Sequence, residues 1–70
     1  MANLNVHGYL VNYSDSSKEG VNYLSNIGYD SAMAIFNKAI ENGSTSFEYE
    51  GGGYKLAWNG ESNYTILKKY

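Results

Sequence analysis

Four stretches of the chain hold residue types that could do chemistry: His7, the serines around Asp15, the Glu48/Glu50 pair, and "EGGGYK" at 50–55. General acid–base work needs a base poised against an acid or a nucleophile. His7 is the only histidine and lies between Asn5 and Tyr9 in an alternating stretch. That placement reads as a half-exposed polar strand residue. Ser16 and Ser17 beside Asp15 read as turn and helix-cap chemistry rather than as part of a triad. Glu48 and Glu50 share one face at strand spacing, whereas a glycosidase pair must bracket a bond across a cleft. A solvated face with Lys55 opposite is the expectation there.

The three consecutive glycines Gly51 to Gly53 invite comparison with a phosphate loop. Such a loop follows a strand, opens a helix and places Ser or Thr after its Lys. Here Leu56 follows Lys55 and the pattern continues as a strand, so a hairpin turn is expected. The chain has no cysteine. Disulfides and thiolate zinc sites are therefore excluded, and a lone histidine does not make a metal centre. "NLNVHG" and "NGES" carry too few carboxylates for a calcium loop. We expect no catalytic residues, no metal and no cofactor.

Charge narrows the partner classes. The chain has five lysines, no arginine and a formal net charge of −2. Nucleic-acid binders neutralise phosphates with a basic patch and read bases with arginine forks, so nucleic acid is an unfavoured partner. No apolar run approaches the ~18 residues of a membrane span. "MANLNVHGYLVNYS" lacks the charged and apolar regions of a signal peptide. A cytoplasmic setting with no membrane partner is the expectation. Plentiful Asn, Tyr, Lys and Ile with no Arg or Pro suit an AT-rich bacterial or phage genome.

Seventy residues make one small domain, 1–70. A chain of this size buries only about 60% of its unfolded surface, so aromatic packing or self-association must supply what a staple would.

The elements follow from periodicity. Asn3 to Tyr13 alternates and predicts one strand, with Leu4, Val6, Gly8 and Leu10 on one face and Asn5, His7, Tyr9, Val11 and Tyr13 on the other. Ser16 followed by Glu19 has capping-box spacing. It predicts a short helix over about 17–26, weakened by Gly20 and ended by Gly28. Asp30 as N-cap and Gly43 as C′ glycine bound a second helix. Its stripe is Ala32, Met33, Ile35, Phe36, Ala39 and Ile40. Three strands follow. A Gly51-Gly52 turn would pair Tyr49 with Tyr54, Phe47 with Leu56 and Glu48 with Lys55. A five-residue loop over Asn59–Asn63 would pair Trp58 with Tyr64 and Leu56 with Ile66. A three-residue loop would pair Leu56 with Tyr64. The fold class is therefore α+β, a two-layer helix-on-sheet arrangement in the order β-α(short)-α-β-β-β. It has a C-terminal antiparallel three-stranded meander, and the first strand joins the sheet at an edge, parallel pairing being permitted.

The aromatic content is the one feature above background: eight Tyr, two Phe and one Trp. Phe47, Leu56, Trp58 and Ile66 are expected to meet the second helix as core. Tyr9 and Tyr13, on the strand face opposite Leu4, together with His7 and Tyr70, form the candidate partner surface, because Tyr is enriched at protein interfaces. The expected function is a small non-catalytic protein-binding module, an inhibitor or adaptor of phage or mobile-element type. The alternatives are a self-assembling homodimer and, less favoured, a single-strand nucleic-acid binder using Tyr as a stacking platform.

Overall fold

The computed structural model describes residues 2–69. Two helices lie on one face of a five-stranded mixed sheet, which is the α+β helix-on-sheet class. The elements run β1 (Ala2–Val6), β2 (Tyr9–Tyr13), a 3-10 turn (Asp15–Ser17), α1 (Lys18–Asn26), α2 (Tyr29–Asn42), β3 (Ser44–Tyr49), β4 (Gly52–Gly60) and β5 (Asn63–Lys68). The strand order is β1-β2-β5-β4-β3. The C-terminal meander is present, and the N-terminal segment joins it at β5 through a parallel β2–β5 pairing.

The expected single strand over Asn3–Tyr13 is instead a hairpin. His7 (φ 52°) and Gly8 (φ 94°) both take positive φ, as a primed two-residue turn requires. The Asn5 side chain accepts a hydrogen bond from the Gly8 N–H at 3.0 Å and helps close it. The fold moves the faces with it. Val6 pairs with Tyr9, Leu4 with Val11 and Ala2 with Tyr13, so these six share one face and the expected split between Leu4/Val6 and Tyr9/Tyr13 does not hold.

The β3–β4 hairpin also turns one position earlier than the side-chain pairing suggested. Glu50 (φ 49°) and Gly51 (φ 77°) form the turn, so Tyr49 pairs with Gly52, Glu48 with Gly53 and Phe47 with Tyr54. The shift in register is two residues, which leaves every side chain on its expected face. At the next connection the longer expected register holds: Trp58 pairs with Tyr64 and Leu56 with Ile66, with a bulge between Trp58 and Gly60.

Helix boundaries follow local capping. The Ser14 N–H donates to Ser17 Oγ at 3.0 Å, so the capping box lies two residues before the expected Ser16/Glu19 box. Buried Ser17 is satisfied by donating to the Ser14 carbonyl at 3.2 Å. Ile27 and Gly28 are both extended, and Gly28 is the N-cap of α2 rather than the end of α1, which places Asp30 in the first turn. Gly43 ends α2 at φ 84°, as its spacing predicted.

The buried cluster joins Val21 and Leu24 of α1 and Ala32, Phe36 and Ala39 of α2 to Val6, Val11, Tyr54, Leu56, Tyr64 and Ile66 of the sheet. Ile40 is exposed, so the α2 stripe is narrower than its sequence pattern. Gly20 lets α1 approach closely: a Cβ there would stand 2.6 Å from Tyr54 Cδ1. The glycine that weakens the helix locally is what allows the layers to meet.

Candidate interaction surface

The sheet has two unlike faces. On the helix side, the aromatic rings lock together. Tyr9 packs on Phe36 (centroids 4.8 Å apart) and on Tyr64 (5.3 Å), and Phe36 packs on Tyr64 (4.8 Å). Tyr23 stacks on Tyr49 (4.6 Å) and Phe47 (5.7 Å), and Phe47 stacks on Tyr54 (5.5 Å). Edge-on and offset ring pairs of this kind stabilise by about 0.5–1.5 kcal/mol each beyond their buried area.

This accounts for most of the tyrosines. Tyr9 and Tyr13 are partly buried against the core, on the side that the helices cover. His7 lies in the β1–β2 turn, its ring edge-on to Tyr29 at 5.8 Å, and its Nε2 is buried with no hydrogen-bond partner among the described residues. Tyr70 lies outside the described residues. The structure thus does not gather Tyr9, Tyr13 and His7 into one exposed patch. Trp58 shares the helix-side face but lies toward the strand end, 37% exposed rather than buried as expected. Its indole N–H donates to the Glu61 carbonyl at 2.8 Å and clamps the β4–β5 turn.

The Tyr64 hydroxyl is the other buried polar atom without a hydrogen-bond partner among the described residues. Burial pushes its phenol above the ordinary value of about 10, and the neighbouring Tyr9 phenol adds to the effect. Among the described residues no group of three or more His, Asp or Glu is placed to hold a metal ion. No helix among them is long and apolar enough to cross a membrane.

The opposite face is open, and strand pairing lays it out. One row across all five strands reads Asn3, Asn12, Thr65, Ala57 and Ser44. All are small or carry an amide or hydroxyl. Asn12 Nδ2 donates to Asn63 Oδ1 at 2.9 Å and to the Tyr64 carbonyl at 3.0 Å, so β2 and β5 are tied by side chains as well as backbone. Asn59 Nδ2 donates to Thr65 Oγ1 at 2.7 Å and braces β4 against β5. These bonds fix the orientations of the Asn12 and Asn59 amides.

Apolar and charged groups flank the row. Leu67 is 45% exposed and pairs with Lys55. At the β3 end, Lys69 reaches across Gly53, donating its backbone N–H to the Gly53 carbonyl (2.7 Å) and its Nζ to Ser46 Oγ (3.2 Å). A shallow depression forms there, lined by Ser46, Phe47, Glu48, Gly53 and Lys69, although the Phe47 ring itself stacks on Tyr23 and Tyr54 on the helix side. The described residues of this face include no aromatic ring. Sequence reasoning missed the face because its amides carry no motif. The signal was the complementary phase of the strand alternation, Asn-Thr-Ser against Val-Tyr-Ile. No family model, no curated protein and no solved structure matches this chain.

Proposed function

We propose that the chain is a small non-catalytic protein-binding module, acting as an inhibitor or adaptor that docks a larger protein on its open sheet face. The observation that carries this reading is the amide and hydroxyl row Asn3–Asn12–Thr65–Ala57–Ser44, fixed by side-chain hydrogen bonds at Asn12 and Thr65 and flanked by exposed Leu67. A flat surface of oriented donors and acceptors with a few apolar contacts has the polar composition of a non-obligate protein interface. Stacking of nucleobases or sugars draws on exposed aromatic rings, and the exposed ones, Tyr29 at a helix start and Trp58 toward a strand end, lie off the open face.

The test is affinity capture from bacterial lysate at low and physiological salt with three immobilised proteins. These are the wild type, a Thr65→Lys/Leu67→Lys variant of the open face, and a Glu41→Lys variant of the exposed side of α2. The reading expects a defined protein retained by wild type and by Glu41→Lys and lost from the double variant. Capture of nothing at low salt, or equal capture by all three, would count against it.

A further inference from the structure

The two outer strands of the sheet differ in how they are guarded. The β3 edge has Glu48, with Glu50 just beyond it, and Lys69 Nζ bonded to Ser46 Oγ. The β1 edge (Ala2–Val6, ANLNV) has no charge and no proline, and Ala2 through Asn5 are exposed. Charged side chains, proline and bulges are the usual devices that keep an outer strand from pairing with another chain. β1 has none of them.

Its backbone direction is fixed by its neighbours. The Leu10 N–H donates to the Ser62 carbonyl at 2.9 Å, so alternate residues of β2 point to β5 and the others, Tyr9, Val11 and Tyr13, point to β1. Through the pairing Val6↔Tyr9 and Leu4↔Val11, the inward groups of β1 belong to Leu4 and Val6. The N–H and C=O of Asn3 and Asn5 therefore point away from the sheet. The Asn5 side chain is occupied by the Gly8 N–H and does not cap them.

We propose that this edge is a homodimer seam: two copies pair antiparallel along β1, about a two-fold axis that passes between Leu4 and Leu4 of the second copy. The register is self-complementary. Asn3 lies opposite Asn5 of the second copy and the reverse, so the outward N–H and C=O groups of both residues exchange four hydrogen bonds. Leu4 falls at the wide, non-hydrogen-bonded position, where opposed side chains are closest, and it is the 37% exposed leucine on the helix side. The same arrangement at β3 would oppose the acidic Glu48 strands and centre on Phe47, which is already stacked under Tyr23 and Tyr54. Because the axis is perpendicular to the sheet, the dimer is a continuous ten-stranded sheet with all four helices on one side. The two open faces then lie side by side on the other. The seam does not depend on what the open face binds, so its failure and the failure of that reading are separate results.

A seam of one short strand predicts a weak, concentration-dependent dimer. Light scattering over about 10 µM to about 1 mM should show the mass rising from the 7.8 kDa of one chain toward twice that value. Leu4→Lys opposes two charges at the axis and should stay monomeric throughout. Asn3→Pro removes an outward N–H that bonds nothing inside the hairpin, and should also stay monomeric if the lysine variant fails to fold. The chain has no native cysteine, so Leu4→Cys introduces a single thiol. The axis places two such residues about 4.5 Å apart at Cα, within disulfide range. Mild oxidation should give covalent dimer from Leu4→Cys and at least tenfold less from Leu67→Cys on the open face. A wild type that remains monomeric at the highest concentration overturns the proposal and leaves the edge to a different chain. Equal cross-linking of the two cysteine variants, or dimers of both Leu4→Lys and Asn3→Pro, overturns it as well.

Discussion

The helix-side face and the open face are built from the same strands, one residue out of phase, and they are held together by different physics. One face excludes water with rings: Tyr9, Phe36 and Tyr64 pack in mutual contact, and Val11, Leu56 and Ile66 are fully buried beside them. The other stays wet and orders itself by amide bonds such as Asn12 to Asn63 and Asn59 to Thr65. Ring packing is where the folding free energy resides, because buried apolar area contributes roughly 25 cal/mol per Å². An exposed amide bond contributes little net stability, so the open face can change with small cost to the fold.

Substitutions can break this contrast or sharpen it. The largest effect should come from Phe36→Ala, which removes a fully buried ring that touches two tyrosines. It should cost about 3–5 kcal/mol, comparable to the whole stability expected of a chain this size. Loss of a cooperative urea transition is the expected readout, and a near-native midpoint would mean that the rings are not the core. Gly20→Ala comes next and carries an instructive sign. Helix propensity alone favours Ala by about 1 kcal/mol, yet the new Cβ would meet the Tyr54 ring at 2.6–2.9 Å. Overpacking of that kind costs about 1–3 kcal/mol, so the urea midpoint should fall rather than rise.

Tyr64→Phe should act in the opposite direction. Removing a buried hydroxyl that makes no hydrogen bond among the described residues should leave stability unchanged or raise it by about 1 kcal/mol. The same variant tests the alkaline limb. Tyr64 holds its proton more tightly folded than unfolded, so above about pH 10 the unfolded chain releases a proton that the folded one keeps. Its contribution is present below the unfolded value and lost as pH rises through the folded one. Wild type should therefore weaken more steeply above about pH 10 than Tyr64→Phe in chemical denaturation. The smallest effect belongs to the open face. Leu67→Lys, at a side chain 45% exposed, should stay within about 0.5 kcal/mol of wild type. A larger loss would show that the open face contributes to the fold after all.

Much of this division was legible in the chain before any coordinates. The α2 stripe through Ala32, Phe36 and Ala39 and its Gly43 terminator follow from spacing alone. The alternation through β3, β4 and β5 assigns Phe47, Tyr54, Leu56 and Ile66 to one face whichever register is chosen, because the two candidate registers differ by an even number. The turn position was less legible. With three glycines in a row, cross-strand chemistry favoured Gly51-Gly52. In the structure Gly52 and Gly53 are strand residues, with the Tyr54 hydroxyl 3.4 Å from where a Gly52 Cβ would be and Lys69 crossing Gly53. Those neighbours are distant in sequence or on the same strand two residues along, and turn propensity does not register them.

The N-terminal hairpin was misread for a related reason. A two-residue turn reverses the phase of alternation, so Val6 and Tyr9, three apart, share a face. Leu10 then extended the wrong phase, since a leucine on the open face mimics a core position. His7 at positive φ gave no compositional warning beyond the glycine after it. The reversed phase places Tyr9 and Tyr13 on the same side as Leu4 and Val6, partly buried against the core.

The parallel pairing of β2 with β5 has a consequence for how the molecule comes into being. β5 follows every other element in chain order, yet it lies at the centre of the sheet between β2 and β4. During synthesis the two hairpins can each form early, from contacts close in sequence. They cannot join until residues 63–68 have left the ribosome, so closure depends on pairings some fifty residues apart, such as Leu10 with Asn63. A chain interrupted before Asn63 would present the inner edges of β2 and β4 unpaired, as two sticky strands inviting aggregation or proteolysis. β5 therefore acts as a latch on the sheet: the inner edges of β2 and β4 are protected only when it is in place.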